Sequence, residues 1–203
     1  MLVKALHQSN TRNFILLFYN SMQLTSKFHS FYGYCLILLF MFLFTPKVTR
    51  AQELQSVPYV DLERYAGTWF EIASFPQSFQ RGCFCTKATY SLSDKGFVIV
   101  ENRCNRNGIN GEESYIKGRA FIEKNSGNAK LKVQFFWPFR GKYWIIDLDK
   151  EYTYAVVSHP NKKYLWILSR SPEMDDQTYQ EILSKLELKG FDLSILKKTI
   201  QKK

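Results

Sequence analysis

The chain has 203 residues, a formal net charge of +10 and three histidines, a length that suits one domain plus an appendage. Its first 51 residues hold no Asp or Glu and five cations, so the remaining 152 residues carry only +5. Half of the basicity therefore lies in the leader, which removes the main support for a nucleic-acid partner. His159 is the one histidine after residue 51, which excludes a multi-histidine metal site, and no resident cofactor is expected.

Leu36 to Phe44 carries no polar side chain, but nine residues make only ~14 Å of helix, short of the ~30 Å hydrocarbon core. Lys27 and His29 precede this run and Thr49-Arg50-Ala51 follows it, the order of a secretory signal. Residues 1–51 are expected to be a leader, with translation starting at Met22 and cleavage after Ala51; an uncleaved anchor is the alternative. Cys35 precedes the apolar run instead of ending it, so it reads as part of the leader and not as a lipidation site. Residues 52–203 form the expected mature domain.

Strand patterns then recur, separated by turn signals. They span Trp69–Phe75, Thr86–Leu92, Phe97–Cys104, Tyr115–Glu123, Lys130–Trp137, Tyr143–Leu148, Tyr152–Ser158 and Tyr164–Ser169. Asp175 to Leu188 changes period: Tyr179, Ile182, Leu183 and Leu186 share one helical face, Asp175 or Asp176 can cap it, and Lys189-Gly190 can end it. The fold class is therefore all-β. An eight-stranded antiparallel up-and-down β-barrel with one C-terminal α-helix packed outside fits best, and a two-sheet sandwich is the alternative. The aromatic content, 23 of 152 mature residues, leans toward a barrel with a lined cavity.

Three cysteines follow the leader, so one bridge and one leftover thiol are expected in an oxidising compartment. If Leu92 faces Phe97 across the first hairpin turn, Cys85 falls opposite Cys104 and is the preferred partner. A bulge would favour Cys83–Cys104 instead.

Tyr65-Ala66-Gly67-Thr68-Trp69-Phe70-Glu71 resembles the Gly-x-Trp signature of the lipocalins, and Tyr164-Leu165-Trp166-Ile167-Leu168-Ser169-Arg170 resembles their last-strand signature. Ala88-Thr89-Tyr90, Phe135-Phe136-Trp137-Pro138-Phe139 and Tyr152-Thr153-Tyr154-Ala155 fall between them at the matching spacings. The similarity runs from Val57 to about Lys198 and is closest to the bacterial lipocalin and apolipoprotein D branch. The chain departs from apolipoprotein D in having no cysteine after Cys104 for a bridge to the C-terminal region.

The resemblance implies that Gly67, Trp69 and Arg170 close one end of the barrel. With strand alternation it implies a lipid pocket lined by Phe135, Tyr143 and Trp166, with Ala88, Tyr90, Tyr154 and Leu168 as weaker candidates. It further implies an exported, non-enzymatic carrier of a small hydrophobic ligand, a fatty acid or lysophospholipid. Such a protein would be periplasmic or outer-membrane associated in a bacterium and secreted otherwise. The residual +5 charge is compatible with a peripheral membrane contact. The alternatives are a lipocalin-type isomerase using the leftover thiol and an interaction domain with a filled barrel. Neither Glu63, Glu71, Asp147 and Asp149 nor His159 shows the spacing of a catalytic pair.

Overall fold

The computed structural model describes residues 53–202; the leader, its start, its cleavage site and Cys35 lie outside the described residues. A short helix, α1 (Leu62–Tyr65), precedes eight long strands. These are β1 (Gly67–Ser74), β2 (Cys83–Leu92), β3 (Val98–Arg106), β4 (Glu113–Ile122), β5 (Lys130–Gln134), β6 (Gly141–Leu148), β7 (Tyr154–Ser158) and β8 (Leu165–Ser169). Each pairs antiparallel with the next, and β1 pairs with both β2 and β8, which closes the barrel. A ninth two-residue strand, β9 (Lys197–Lys198), pairs with the upper end of β1. Closure leaves no free edge among the eight, the usual hazard of an antiparallel sheet.

Helix α2 (Asp176–Leu188) begins where Asp175 accepts a hydrogen bond from the Thr178 N–H at 2.8 Å, satisfying a first-turn donor. It ends at Gly190, whose φ of +75° is readily reached without a Cβ. Tyr179, Ile182 and Leu186 are buried against the outer wall, over Ile72, Trp144, Ile146, Val156 and Ile167. This face agrees with the sequence periodicity, although Leu183 packs only at its margin. A second apolar cluster fills the barrel interior and includes Trp69, Tyr90, Val100, Ala120, Leu131, Ile145, Val157 and Leu168. The strand alternation thus feeds two cores, one on each side of the same wall.

The closed end is built from few residues. Trp69 is fully buried, and its indole N–H donates to the Tyr65 carbonyl at 2.8 Å. The Arg170 guanidinium lies 3.8 Å from the Trp69 ring centroid. It also donates to the carbonyls of Thr68 (3.0 Å), Arg64 (2.6 Å) and Tyr152 (3.3 Å). Gly67 adopts φ +97°, and a Cβ there would stand 3.2 Å from the Arg170 side chain. Glycine is needed at this point both for the backbone and for the approach.

The structure corrects the expected cysteine pairing. Cys83, not Cys85, is bonded to Cys104, with Cα atoms 5.4 Å apart. The first hairpin closes with Leu92 opposite Val98 instead of Phe97, and a bulge interrupts β2 between Phe84 and Lys87. Cys85 sits in that bulge at φ +52°, and its Sγ points toward the Ile109 carbonyl, 3.9 Å away. The extra residue swings Cys85 out of the ladder and carries Cys83 to Cys104.

Replacing Arg170 by Ala removes the ring contact and leaves three carbonyls short of a donor. The expected cost is ~1–3 kcal/mol, read as a lowered denaturation midpoint. An unchanged midpoint would show that these contacts do not hold the base.

Candidate ligand site inside the barrel

Cross-strand partners face the same side of a sheet, so the register fixes which side chains look inward. Trp69 pairs with Ala88, Tyr90 with Val100, Leu131 with Tyr143, Ala155 with Leu168 and Val157 with Trp166. Ala88, Tyr90, Tyr143, Trp166 and Leu168 therefore share the interior with Trp69. Phe135 joins them by lying across Gly118, where a Cβ would come within 2.7 Å of the phenyl ring. Gly118 was not singled out from the sequence, because only the fold shows which ring passes over it.

Tyr154 is the exception among the expected pocket residues. It packs in the outer cluster, and its hydroxyl accepts a 3.0 Å hydrogen bond from Lys185 of α2 and donates to Asp147 at 3.4 Å. Strand β7 starts at Tyr154 with Ala155 already facing inward, so the preceding residue must face outward. A one-residue offset suffices to exchange the faces.

The lower interior is packed. Tyr143 links the hydroxyls of Tyr65 and Tyr90, each at 2.9 Å, and the Tyr65 ring lies 5.0 Å from Trp69. Around these rings, with Leu62, Val98 and Leu131, the free space is about 10 Å³, room for one water-sized group. Burial pushes the Tyr90 phenol up to about 12 and raises Tyr65 and Tyr143 as well. Higher in the barrel, Phe135 and Trp166, the latter opposite Ser74 at the upper end of β1, face inward yet remain half-buried. The interior is thus packed at its base, and its inward side chains become partly exposed toward the end formed by the β1–β2, β3–β4, β5–β6 and β7–β8 loops.

One buried carboxyl group lies in this wall. Glu71, paired with Leu168, accepts hydrogen bonds from Ser74 at 2.9 Å, from Gln80 and from Thr199. Gln201 bridges the carbonyls of Glu71 and Thr86, and the Cys85 N–H donates to Ile200. The C-terminal segment is therefore stitched into the seam between the upper halves of β1 and β2. The sequence gives no sign of this anchoring role for Glu71, since its partner Thr199 is 128 residues away.

The groups considered for catalysis are not assembled. His159 Nδ1 bonds Asn161 in the β7–β8 turn, while Cys85 faces the Ile109 carbonyl. Among the described residues no group of three metal-ligating side chains occurs.

The three phenols stabilise the fold only while protonated, because their pKa values are raised in the folded state. Their contribution is complete below pH ~10 and is lost as pH rises through the folded values. Stability should be level from neutrality to about pH 9 and fall steeply toward pH 12. Ultraviolet phenolate absorbance checks this: three tyrosines should ionise only with unfolding. Ionisation of all tyrosines near pH 10 in folded protein would contradict the interior hydroxyl chain.

Comparisons with known proteins agree with this architecture. Residues 60–201 match the lipocalin-like domain model. The chain is 38% identical over 163 residues to temperature-induced lipocalin-1 of Arabidopsis thaliana, covering 76% of this chain and 86% of that protein. It is 45% identical over 134 residues to the outer membrane lipoprotein Blc of Escherichia coli K12, covering 66% of this chain and 75% of that one. Apolipoprotein D of Bos taurus is 36% identical over 126 residues, covering 58% and 65% respectively. Insecticyanin of the tobacco hornworm Manduca sexta shares the fold, with a TM-score of 0.61 at 24% identity, covering 75% of this chain and 87% of that one. With the domain match spanning the whole barrel, and with Trp69 and Arg170 stacked at its base, the chain belongs to the lipocalin family.

Proposed function

We propose that the barrel carries one long-chain lipid, a fatty acid or a lysophospholipid, in its upper half. The observation that carries this reading is the gradient along the interior, packed to a water-sized space at the base and lined by half-buried apolar side chains above. Family membership supports it, because lipocalins bind small hydrophobic ligands. The ligand tail points toward the tyrosines and the head group lies at the mouth. A buried methylene is worth ~0.8 kcal/mol, so ten give ~8 kcal/mol before association costs, compatible with micromolar affinity.

The protein is a carrier and not an isomerase on this reading, since Cys85 and His159 do not bond each other and each is engaged elsewhere. The names of its relatives, an outer membrane lipoprotein among them, support an exported protein engaged in handling lipids of the cell envelope. The Cys83–Cys104 bridge suits such an oxidising compartment.

Titration with a fatty acid or lysophospholipid should change tryptophan fluorescence saturably. Trp166→Ala should weaken binding about tenfold, from lost apolar contact, with little change in melting temperature. Lipid extracted from the purified protein should be chemically unchanged. Turnover of the lipid would favour the isomerase, and no saturable binding would favour a filled barrel serving as an interaction domain.

A further inference from the structure

The mouth of the barrel has a surface that ligand binding does not explain. Between β5 and β6 the chain makes a tight turn, closed by the Phe139 N–H donating to the Phe136 carbonyl at 2.9 Å. That turn presents Phe136, Trp137 and Phe139 at 68%, 86% and 77% exposure. Phe79 of the β1–β2 loop is 64% exposed at the same end, and its ring is 6.4 Å from Tyr164 at the start of β8. Among the described residues no other turn exposes three aromatic side chains. Water-exposed aromatics gathered on one end mark an interaction surface, whereas scattered ones need no explanation.

Charge is distributed along the same axis. The four mouth loops, residues 75–82, 107–112, 135–140 and 159–164, hold Arg81, Arg140, Lys162 and Lys163 against the single acid Glu112. The turns at the opposite end, residues 93–97, 123–129 and 149–153, hold Asp94, Glu123, Asp149 and Glu151 against three lysines. The barrel is thus cationic and aromatic at its mouth and weakly acidic at its base. Arg140 adjoins the aromatic turn, but its guanidinium lies against the outer wall, 4.1 Å from the Phe121 ring centroid near the lower end of β4. Tryptophan and phenylalanine interleaved with arginine and lysine match the bilayer interface, where rings settle at headgroup depth and cations meet lipid phosphates. A protein partner would need a complementary acidic and apolar face; an anionic bilayer supplies both features over any area.

We propose that the mouth of this barrel docks on an anionic lipid bilayer, with Phe136, Trp137 and Phe139 inserted among the headgroups and Arg81 and Lys163 facing the phosphates. Docked this way, the opening faces the membrane, and an acyl chain passes between bilayer and barrel without crossing bulk water. The tight turn holds the three rings as a preformed tip, which lowers the ordering cost of insertion. The docking rests on the outer rim and does not depend on which lipid fills the interior.

Vesicle sedimentation tests it. The protein should sediment with phosphatidylglycerol–phosphatidylcholine vesicles and at least about tenfold less with pure phosphatidylcholine. Raising salt from about 0.1 M to 1 M, which shortens the screening length from ~10 Å to ~3 Å, should weaken the phosphatidylglycerol binding. The double variant Phe136→Ser, Trp137→Ser should lose at least about tenfold in vesicle affinity while keeping its melting temperature and its uptake of fatty acid added from ethanol. The pair Arg81→Ala, Lys163→Ala should lose the preference for phosphatidylglycerol. Failure to sediment with either vesicle would overturn the proposal, as would unaltered binding by the serine variant. A dimer in the absence of vesicles, lost in that variant, would also overturn it and assign the rim to a second copy. A protein that sediments but takes up no fatty acid would retain the docking surface and remove the carrier function.

Discussion

The stack of Arg170 on Trp69 is the constraint on which the rest of the molecule depends. A closed antiparallel barrel has two open ends, and a vessel for an apolar ligand needs one of them sealed against water. Here one guanidinium covers the indole at 3.8 Å and ties three carbonyls from the entry segment, β1 and the β6–β7 turn. The chain around residues 64–68, the β6–β7 turn and the end of β8, far apart in sequence, are thereby joined at one point. Gly67 makes the approach possible, and Tyr65 accepts the indole proton through its carbonyl while sending its own hydroxyl inward to Tyr143. Sealing the base and filling the lower interior are accordingly parts of a single arrangement.

The upper half is built by a different logic. The ladder between β1 and β2 covers only the lower part of both strands, Gly67–Phe70 against Lys87–Tyr90. Above it, the C-terminal segment occupies the seam, anchored by Glu71 through Thr199 and by Gln201 to both strands. A buried carboxyl group is acceptable in an apolar wall when its oxygens are met by donors, and Glu71 has three side-chain partners. The Cys83–Cys104 bridge fastens β2 to β3 beside the same region. The mouth is thus framed by covalent and polar contacts, whereas the base is held by ring packing and a cation.

Much of this was legible in the sequence because it depends on local periodicity. The eight strands, the capped helix and the Trp69–Arg170 pair follow from alternation, a 3.6-residue period and two motifs. What was not legible depended on register. Tyr154 faces outward because β7 begins with Ala155 turned inward, and the two choices differ by one residue. Cys85 loses its place opposite Cys104 to a bulge whose left-handed backbone no local residue pattern announces. Glu71 and Gly118 acquire their roles from Thr199 and Phe135, which only the folded chain brings to them.

A vessel sealed at one end makes a definite statement about where its contents lie. The most direct test is a crystal structure of the protein purified with its co-extracted lipid. The account predicts a single acyl chain in the upper barrel beside Phe135 and Trp166, its head group at the mouth. The Tyr65–Tyr143–Tyr90 hydroxyl chain and the Arg170 stack should be unbroken beneath it. A lipid lying below the tyrosines with Arg170 displaced, or an interior closed over by side chains with no ligand, would contradict it.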